Sequence, residues 1–214
     1  MRRLYLISDL TTSFQEFSRK YVEVCGGKKA HIAFLMQGGK EWQKYFAIYE
    51  DSFRRSNPTD FFPVFPDDDF HFEPEMLDKL AAATGIFVGG GHAFRYIKAY
   101  AESPLAEVIR SKYMAGIPYA GLSAGAIITT RLGFLPDFAI KPHFTAKKRF
   151  NELIAKMNYD HKEIGLGLDD GIWVEIEDDN RFTFYGDGNC YFFRYCKDHK
   201  FELEIFSAGM TIIL

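Results

Sequence analysis

Gly121-Leu122-Ser123-Ala124-Gly125 satisfies the pattern Gly-x-Ser-x-Gly inside the octapeptide Tyr119 to Ala126. An apolar strand candidate, Ile117 to Leu122, precedes it, and a helical run from Ala124 to about Thr130 follows. That is the context in which a serine on a sharp strand-to-helix turn serves as a nucleophile. The backbone there is strained and crowded, so the flanking residues must be small, and Gly121, Ala124, Gly125 and Ala126 meet that need. The helix N-terminus beyond Ser123 offers free N–H groups to an oxyanion. A tight turn chosen for packing alone would use the same five residues; the strand before and the helix after favour catalysis.

A serine needs a base. Of six histidines, His31 lies in an apolar strand, His71 in a Pro-rich segment, and His161 and His199 beside lysines in polar turns. His143 ends a short apolar run in Ile140-Lys141-Pro142-His143-Phe144, where a strand is expected to deliver it to the edge of the sheet that carries Ser123. A lone histidine is usually a surface or satisfied core residue; its combination with Ser123 makes His143 the candidate base. A carboxylate should orient the imidazole. The segment Leu168-Asp169-Asp170-Gly171, which ends an apolar run, is best placed to supply it, with Asp137 and Glu175 behind it. Val88-Gly89-Gly90-Gly91-His92 lets backbone approach a ligand closely. It lacks the patterns of nucleotide loops, and it pairs naturally with the Ala124 N–H as the second donor of an oxyanion hole.

These residues must be positioned by a scaffold whose first two thirds alternate apolar runs with amphipathic stretches. Strands are expected at Leu4–Ile7, His31–Met36, Gly85–Val88 and Ile117–Leu122. Helices are expected around Phe14, Phe17 and Tyr21, over Glu73–Ala83, and as one long or two short pieces over Phe94–Met114. Trp42, Tyr45, Phe46, Tyr49 and Phe53 fall on one helix face and read as core. Residues 57–72, with Pro58, Pro63 and Pro66, read as an edge strand and loop. Such alternation specifies a mainly parallel sheet covered on both faces, an α/β sandwich. From Ile164 onward, short aromatic strands separated by polar turns read as a C-terminal antiparallel β extension. One domain is expected over 1–214, with an α/β core at 1–160 and a β-rich extension at 161–214.

Composition narrows the function. With 26 Lys and Arg against 29 Asp and Glu, the formal charge is -3, which disfavours a nucleic-acid partner. Cys25, Cys190 and Cys196 are odd in number and lack CxxC spacing, so they suit neither a disulfide framework nor a zinc site. The apolar run after Arg2-Arg3 ends at Ser8, too soon for a signal-peptide core, and no stretch reaches the length of a membrane span. A cytoplasmic protein is expected, with no membrane partner. The run Asp67-Asp68-Asp69 reads as a solvated turn more readily than a calcium loop. Aromatic residues make up 17% of the chain; most read as core, leaving Phe61, Phe62, Phe65, Phe94 and Phe144 to wall a cleft.

Taken in order, Phe87-Val88-Gly89-Gly90-Gly91, Ala120 to Ala126, Pro142-His143-Phe144 and Gly165 to Asp170 resemble the peptidase E and cyanophycinase family of serine peptidases. The likeness spans about residues 80–195. It implies a flavodoxin-like three-layer sandwich similar to class I glutamine amidotransferases, and cleavage of peptides after aspartyl residues. By motif, Ser123 would be the nucleophile, His143 the base and Asp170 the acid, with Gly90, Gly91 and Ala124 amides as the oxyanion hole. His92 stands where the family often has Asn. Asp170 stands where it usually has Glu, so its bond to His143 is expected to be longer or supplied by Asp169. Lys147-Lys148-Arg149 replaces the several arginines of cyanophycinases, which favours a short aspartyl peptide over the β-aspartyl-arginine polymer.

The expected chemistry is acyl transfer to water without metal or cofactor. An acidic side chain on the substrate calls for a cation: Arg95, Lys98, Lys147 and Arg149 are candidates, Arg149 being favoured for bidentate geometry, with His92 beside them. Two rivals use the same Ser123 elbow. One is an esterase or amidase with His199 as base; the other is a non-catalytic module that holds an anion between Gly89–Gly91 and the Ser123 loop. A homodimer is among the assemblies open to it.

Overall fold

The computed structural model describes residues 1–9, 13–40, 42–196 and 200–214, so His199 lies outside the described residues. Parallel strands β1 (Arg3–Ile7), β2 (His31–Leu35), β3 (Asp60–Val64), β4 (Gly85–Val88) and β5 (Tyr119–Leu122) form one side of an eight-stranded sheet. Connecting them are α1 (Phe14–Val24), α2 (Trp42–Arg55), α3 (Pro74–Ala82), α4 (Ala93–Tyr96) and α5 (Leu105–Met114), with α6 (Ala124–Arg131) following β5. The strand runs are apolar throughout because both faces are covered. One face packs Tyr5, Phe34, Phe87 and Leu122 against Phe17, Tyr21 and Phe53 of α1 and α2. The other packs Leu4, Leu35, Val88 and Tyr119 against Tyr96, Ile109 and Ile128.

The C-terminal strands pair antiparallel, as expected, and are shared between two sheets. β8 (Ile172–Glu177), β9 (Arg181–Gly186) and β12 (Thr211–Ile213) extend the main sheet, giving the order β12-β9-β8-β1-β5-β4-β2-β3. β8 joins antiparallel to β1, with Leu6 opposite Val174. A second sheet, β11-β10-β7-β6, contains β6 (Phe138–Pro142), β7 (Ile164–Leu168), β10 (Asn189–Tyr195) and β11 (Phe201–Ser207). Residue 160 therefore divides neither sheet: β6 belongs with the later strands, and β8 with the earlier ones. One face of this sheet presents Phe138, Leu166 and Phe192 to the shared core. Its other face packs Ala139, Phe144 and Phe193 against Leu153 and Met157 of α7 (Phe150–Tyr159).

Local departures from the sequence expectations have simple causes. Phe94–Met114 is broken by a π-type turn at Ile97–Ala101 and by the Ser103-Pro104 corner. On α2 only Tyr49 and Phe53 are buried, and Tyr45 is 46% exposed. The ring stripe is wider than the surface α2 covers, so its margin faces solvent. β3 is the sheet edge, where Pro63 costs no ladder bond. Asp67 Oδ1 accepts the N–H groups of Asp69 and His71. Those bonds, led by the His71 amide, hold its carboxyl below the usual range, so the acidic run is a self-capped turn.

Candidate active site

The carboxyl ends of β1, β4 and β5 meet side by side, with Leu6 and Val88 both paired to Gly121. Open α/β sheets place ligands at such ends. Ser123 follows β5 with φ 49° and ψ −102°. This unfavourable backbone is held on both sides: its N–H donates to Ile7 O at 2.8 Å, and its carbonyl accepts the N–H groups of Ala126 and Ile127. Crowding explains the neighbours. A Cβ on Gly121 would lie 2.3 Å from Gly125 O, and one on Gly125 would lie 2.4 Å from Val88 O.

His143 arrives from the second sheet, not from the edge of the sheet carrying Ser123, because β6 pairs with β7. Its own φ is 54°. The ring spans the two sheets: Nε2 lies 3.2 Å from Ser123 Oγ and Nδ1 lies 2.6 Å from Asp170 Oδ1. The bond to Asp170 is short despite the missing methylene. Asp169 faces elsewhere: its Oδ1 accepts the Thr145 N–H at 3.0 Å and the Thr145 hydroxyl at 2.7 Å. Phe144 is buried over Gly167, where a Cβ would come within 2.5 Å of the ring. The aromatic residue beside the base thus anchors the turn instead of walling a cleft.

The other carboxylate candidates are not brought to the site. Asp137 precedes β6, a full strand away from His143. Glu175 is buried among Tyr5, Tyr185 and Lys20, with Lys20 Nζ at 2.6 Å. Burial opposes its charge, yet hydrogen bonds from Lys20 and Tyr5 hold its carboxyl below the ordinary value. Phe61 and Phe62 are buried in β3, Phe65 packs on Trp42, and Phe94 is 57% exposed.

The glycine loop lies against Ser123: a Cβ on Gly90 would be 3.5 Å from Ser123 Cβ. Two tyrosines fix the Gly90 residue, since Tyr49 OH accepts its N–H at 3.4 Å and Tyr96 OH donates to its carbonyl at 3.2 Å. Burial raises the Tyr49 hydroxyl above the ordinary phenol range, so it stays protonated. Gly91 has φ 146° and leaves room for Gln37, whose Oε1 would be 2.5 Å from a Cβ there. Ala124 N–H, at the first position of α6, has no intrahelical acceptor.

The candidate cations divide. Arg95 is tied to the glycine loop through Gln37: its Nε donates to Gln37 O at 3.2 Å, while Gln37 Oε1 accepts the His92 N–H at 2.8 Å. Its Nη2 has no hydrogen-bond partner among the described residues and lies 3.7 Å from Asp68. Arg149 Nη1 donates to Pro142 O, and its Nε faces Glu152 at 3.8 Å. Lys98 pairs with Glu102 on the surface, and Lys147 is exposed.

Sequence reasoning missed Ser8, Asp9, Gln37 and Tyr49. The available signal was a polar pair, Ser8-Asp9, directly after a buried strand. Ser8 is fully buried, accepts the His143 N–H at 2.8 Å, and lies 3.0 Å from Leu168 O and 3.2 Å from Asp170 Oδ1. Carboxylate oxygens of Asp9 and Asp170 and a ring nitrogen of His143 lie within 4.8 Å of one another. Among the described residues no helix is long and apolar enough to cross a membrane.

Solved structures share this architecture. A peptidase from an acI-B1 actinobacterium superposes over all of the chain and 97% of its own, with a TM-score of 0.77 at 20% identity. A putative peptidase E from Listeria monocytogenes covers 87% of this chain and 98% of its own, with a TM-score of 0.61 at 15% identity. In sequence, a cyanophycinase of Synechococcus elongatus is 26% identical over 193 residues, 79% of this chain and 60% of that protein. A peptidase E of Shewanella amazonensis is 31% identical over 150 residues, 58% of this chain and 63% of that protein. A probable alpha-aspartyl dipeptidase of Drosophila melanogaster is 26% identical over 193 residues, 76% of this chain and 75% of that protein. The chain spans 60% to 73% of the length of the cyanophycinases it matches. The family model for peptidase family S51 matches residues 9–134, more than half of the chain, and the protein belongs to that family.

Proposed function

We propose that the protein is a serine peptidase that hydrolyses short aspartyl peptides through Ser123, His143 and Asp170. The observation that carries this reading is the unbroken contact chain from Ser123 Oγ to His143 Nε2 at 3.2 Å and from His143 Nδ1 to Asp170 Oδ1 at 2.6 Å. His143 takes the Ser123 proton as Oγ attacks the scissile carbonyl, and Asp170 holds the ring and stabilises the imidazolium. Ala124 N–H and Gly91 N–H are the donors for the oxygen that becomes negative, the Gly90 N–H being held by Tyr49 OH. His143 then protonates the leaving amine, and water repeats the sequence to release the acid. Hydroxyl, imidazole and amides suffice for each step. For an acidic side chain, Arg95 is preferred to the Arg149 favoured by sequence, because Gln37 ties Arg95 to the glycine loop that lies against Ser123.

One observation favours the non-catalytic anion-binding reading: the Gly90 N–H is already taken by Tyr49 OH. A fluorophosphonate probe separates the two. The peptidase reading expects labelling of the wild type, none of Ser123→Ala, and hydrolysis within an aspartyl dipeptide panel. A folded wild type that neither labels nor hydrolyses would leave the binder.

A further inference from the structure

Ser8 stands where the two sheets meet. It follows β1, its N–H donates to Ile172 O at 3.3 Å, and its side chain has no solvent exposure. A hydroxyl has one proton and two lone pairs. One lone pair accepts the backbone N–H of His143 at 2.8 Å. The proton has two acceptors within reach: Leu168 O at 3.0 Å and Asp170 Oδ1 at 3.2 Å. Leu168 O is also the acceptor of the Phe144 N–H, so the strand ends of β6 and β7 are stitched to each other and to β1 at this one oxygen.

The arrangement answers a mechanical problem. Ser123 hangs from the main sheet, whereas His143 and Asp170 hang from the second sheet and the turn that follows it. Between the sheets lies an apolar layer without hydrogen-bond direction, which fixes spacing but not orientation. His143 sits at φ 54°, a conformation that a non-glycine residue keeps only when its surroundings over-determine it. The N–H bond to Ser8 is the contact that ties this strained backbone to the strand beside β5.

Resting on the proposed Ser123 chemistry, we infer that Ser8 is a positioning residue, which holds the His143 backbone and the Asp170 carboxylate in register with Ser123 across the two sheets. Ser8 does not touch substrate. Its removal should therefore lower kcat and leave KM nearly unchanged, because the loss falls on the proton transfer and not on binding.

The test compares wild type, Ser8→Ala and Ser8→Thr, each shown to be folded by circular dichroism at a temperature well below melting. Two measurements are made. The first is kcat and KM on an aspartyl dipeptide; the second is the proton NMR resonance of His143 Nδ1–H, assigned by its loss in Asp170→Asn. The inference expects Ser8→Ala to lose roughly tenfold or more in kcat, as one positioning contact does, and to lose or broaden the Nδ1–H resonance by solvent exchange. Ser8→Thr keeps the hydroxyl and should retain the resonance. A Ser8→Ala protein with an unchanged resonance overturns the inference, whatever its activity. If the wild type is inert toward peptide and probe alike, the peptidase reading falls, and the resonance comparison still decides the role of Ser8.

Discussion

Asp169 and Asp170, adjacent in the chain, grip opposite sides of the same histidine turn: Asp169 Oδ1 takes the Thr145 N–H and O–H, while Asp170 Oδ1 lies 2.6 Å from His143 Nδ1. One carboxylate shapes the loop and the other addresses the ring. Their division of labour follows from the turn after β7, which sends the two consecutive side chains to different partners. Because both are acidic and equally near the serine in sequence, only the three-dimensional register tells them apart.

The two should separate cleanly on substitution. Asp170→Asn keeps the shape but offers the ring the wrong hydrogen-bond partner, and is expected to cost about 10³–10⁴ in kcat on an aspartyl dipeptide. Asp169→Asn loses a charge-assisted acceptor on a partly exposed turn, expected to cost about 1 kcal/mol of stability and much less activity. Steady-state kinetics beside urea melts would check this; equal catalytic losses would contradict the assignment.

A second prediction concerns the turn around Ser123. Gly121→Ala and Gly125→Ala each drive a methyl group to within 2.4 Å of a backbone oxygen, and no side-chain rotation relieves that contact. Each is expected to cost more than about 3 kcal/mol, in the range of severe overpacking, or to prevent folding. Gly133→Ala is the control: φ is 77° but nothing lies within 4 Å, so only the backbone term of about 1 kcal/mol remains. Thermal melts of the three variants order them. A Gly121→Ala protein as stable as Gly133→Ala would contradict the crowding assigned to this turn.

Much of this site was legible in the sequence because its signals are local. Ser123 lies between a strand and a helix whose small residues are forced by contacts within the same turn, and His143 closes an apolar run. What was not legible depends on sheet pairing. The pattern of Trp173 to Glu177 gives a strand but not its neighbour, so nothing in it reveals that Leu6 pairs with Val174. The same blindness placed β6 in the wrong sheet. Ser8 was invisible for a related reason: the three partners of its hydroxyl, His143, Leu168 and Asp170, lie 135 to 162 residues away. β12, only three residues long, carries too few alternations to be seen.

Acid stability should report the Glu175 cluster. Its carboxyl is held below the ordinary value of 4.5 despite burial, by Lys20, Tyr5 and Tyr185. For a carboxyl whose folded pKa is depressed, the stabilisation is present above the unfolded pKa and is lost as pH falls through the folded one. Glu175→Gln is therefore expected to destabilise by about 1–3 kcal/mol at pH 7, where it leaves Lys20 partly buried without its counter-ion. The gap between variant and wild type should narrow below about pH 4.5. Chemical denaturation at pH 7 and pH 3.5 measures both; a gap that widens toward acid would reverse the sign and contradict the ion pair.

Substrate charge is the last test, and it turns on Arg95. Its guanidinium lies over the Phe70 ring at 5.3 Å, with one nitrogen lacking a hydrogen-bond partner among the described residues and the exposed Asp68 only 3.7 Å away. If this cation receives the substrate carboxylate, Arg95→Met should reduce kcat/KM for an aspartyl dipeptide by about 10²-fold, the loss expected for one charge-assisted pair of about 3 kcal/mol. The asparaginyl analogue should lose far less, because it never carried the charge. Asp68→Asn should act in the opposite direction, lowering KM for the aspartyl substrate, since a competing carboxylate is removed from the same guanidinium. The Arg95→Met substitution tests binding, and Asp68→Asn tests competition. Equal losses on both substrates in Arg95→Met would mean that the residue supports the glycine loop through Gln37 and reads no charge.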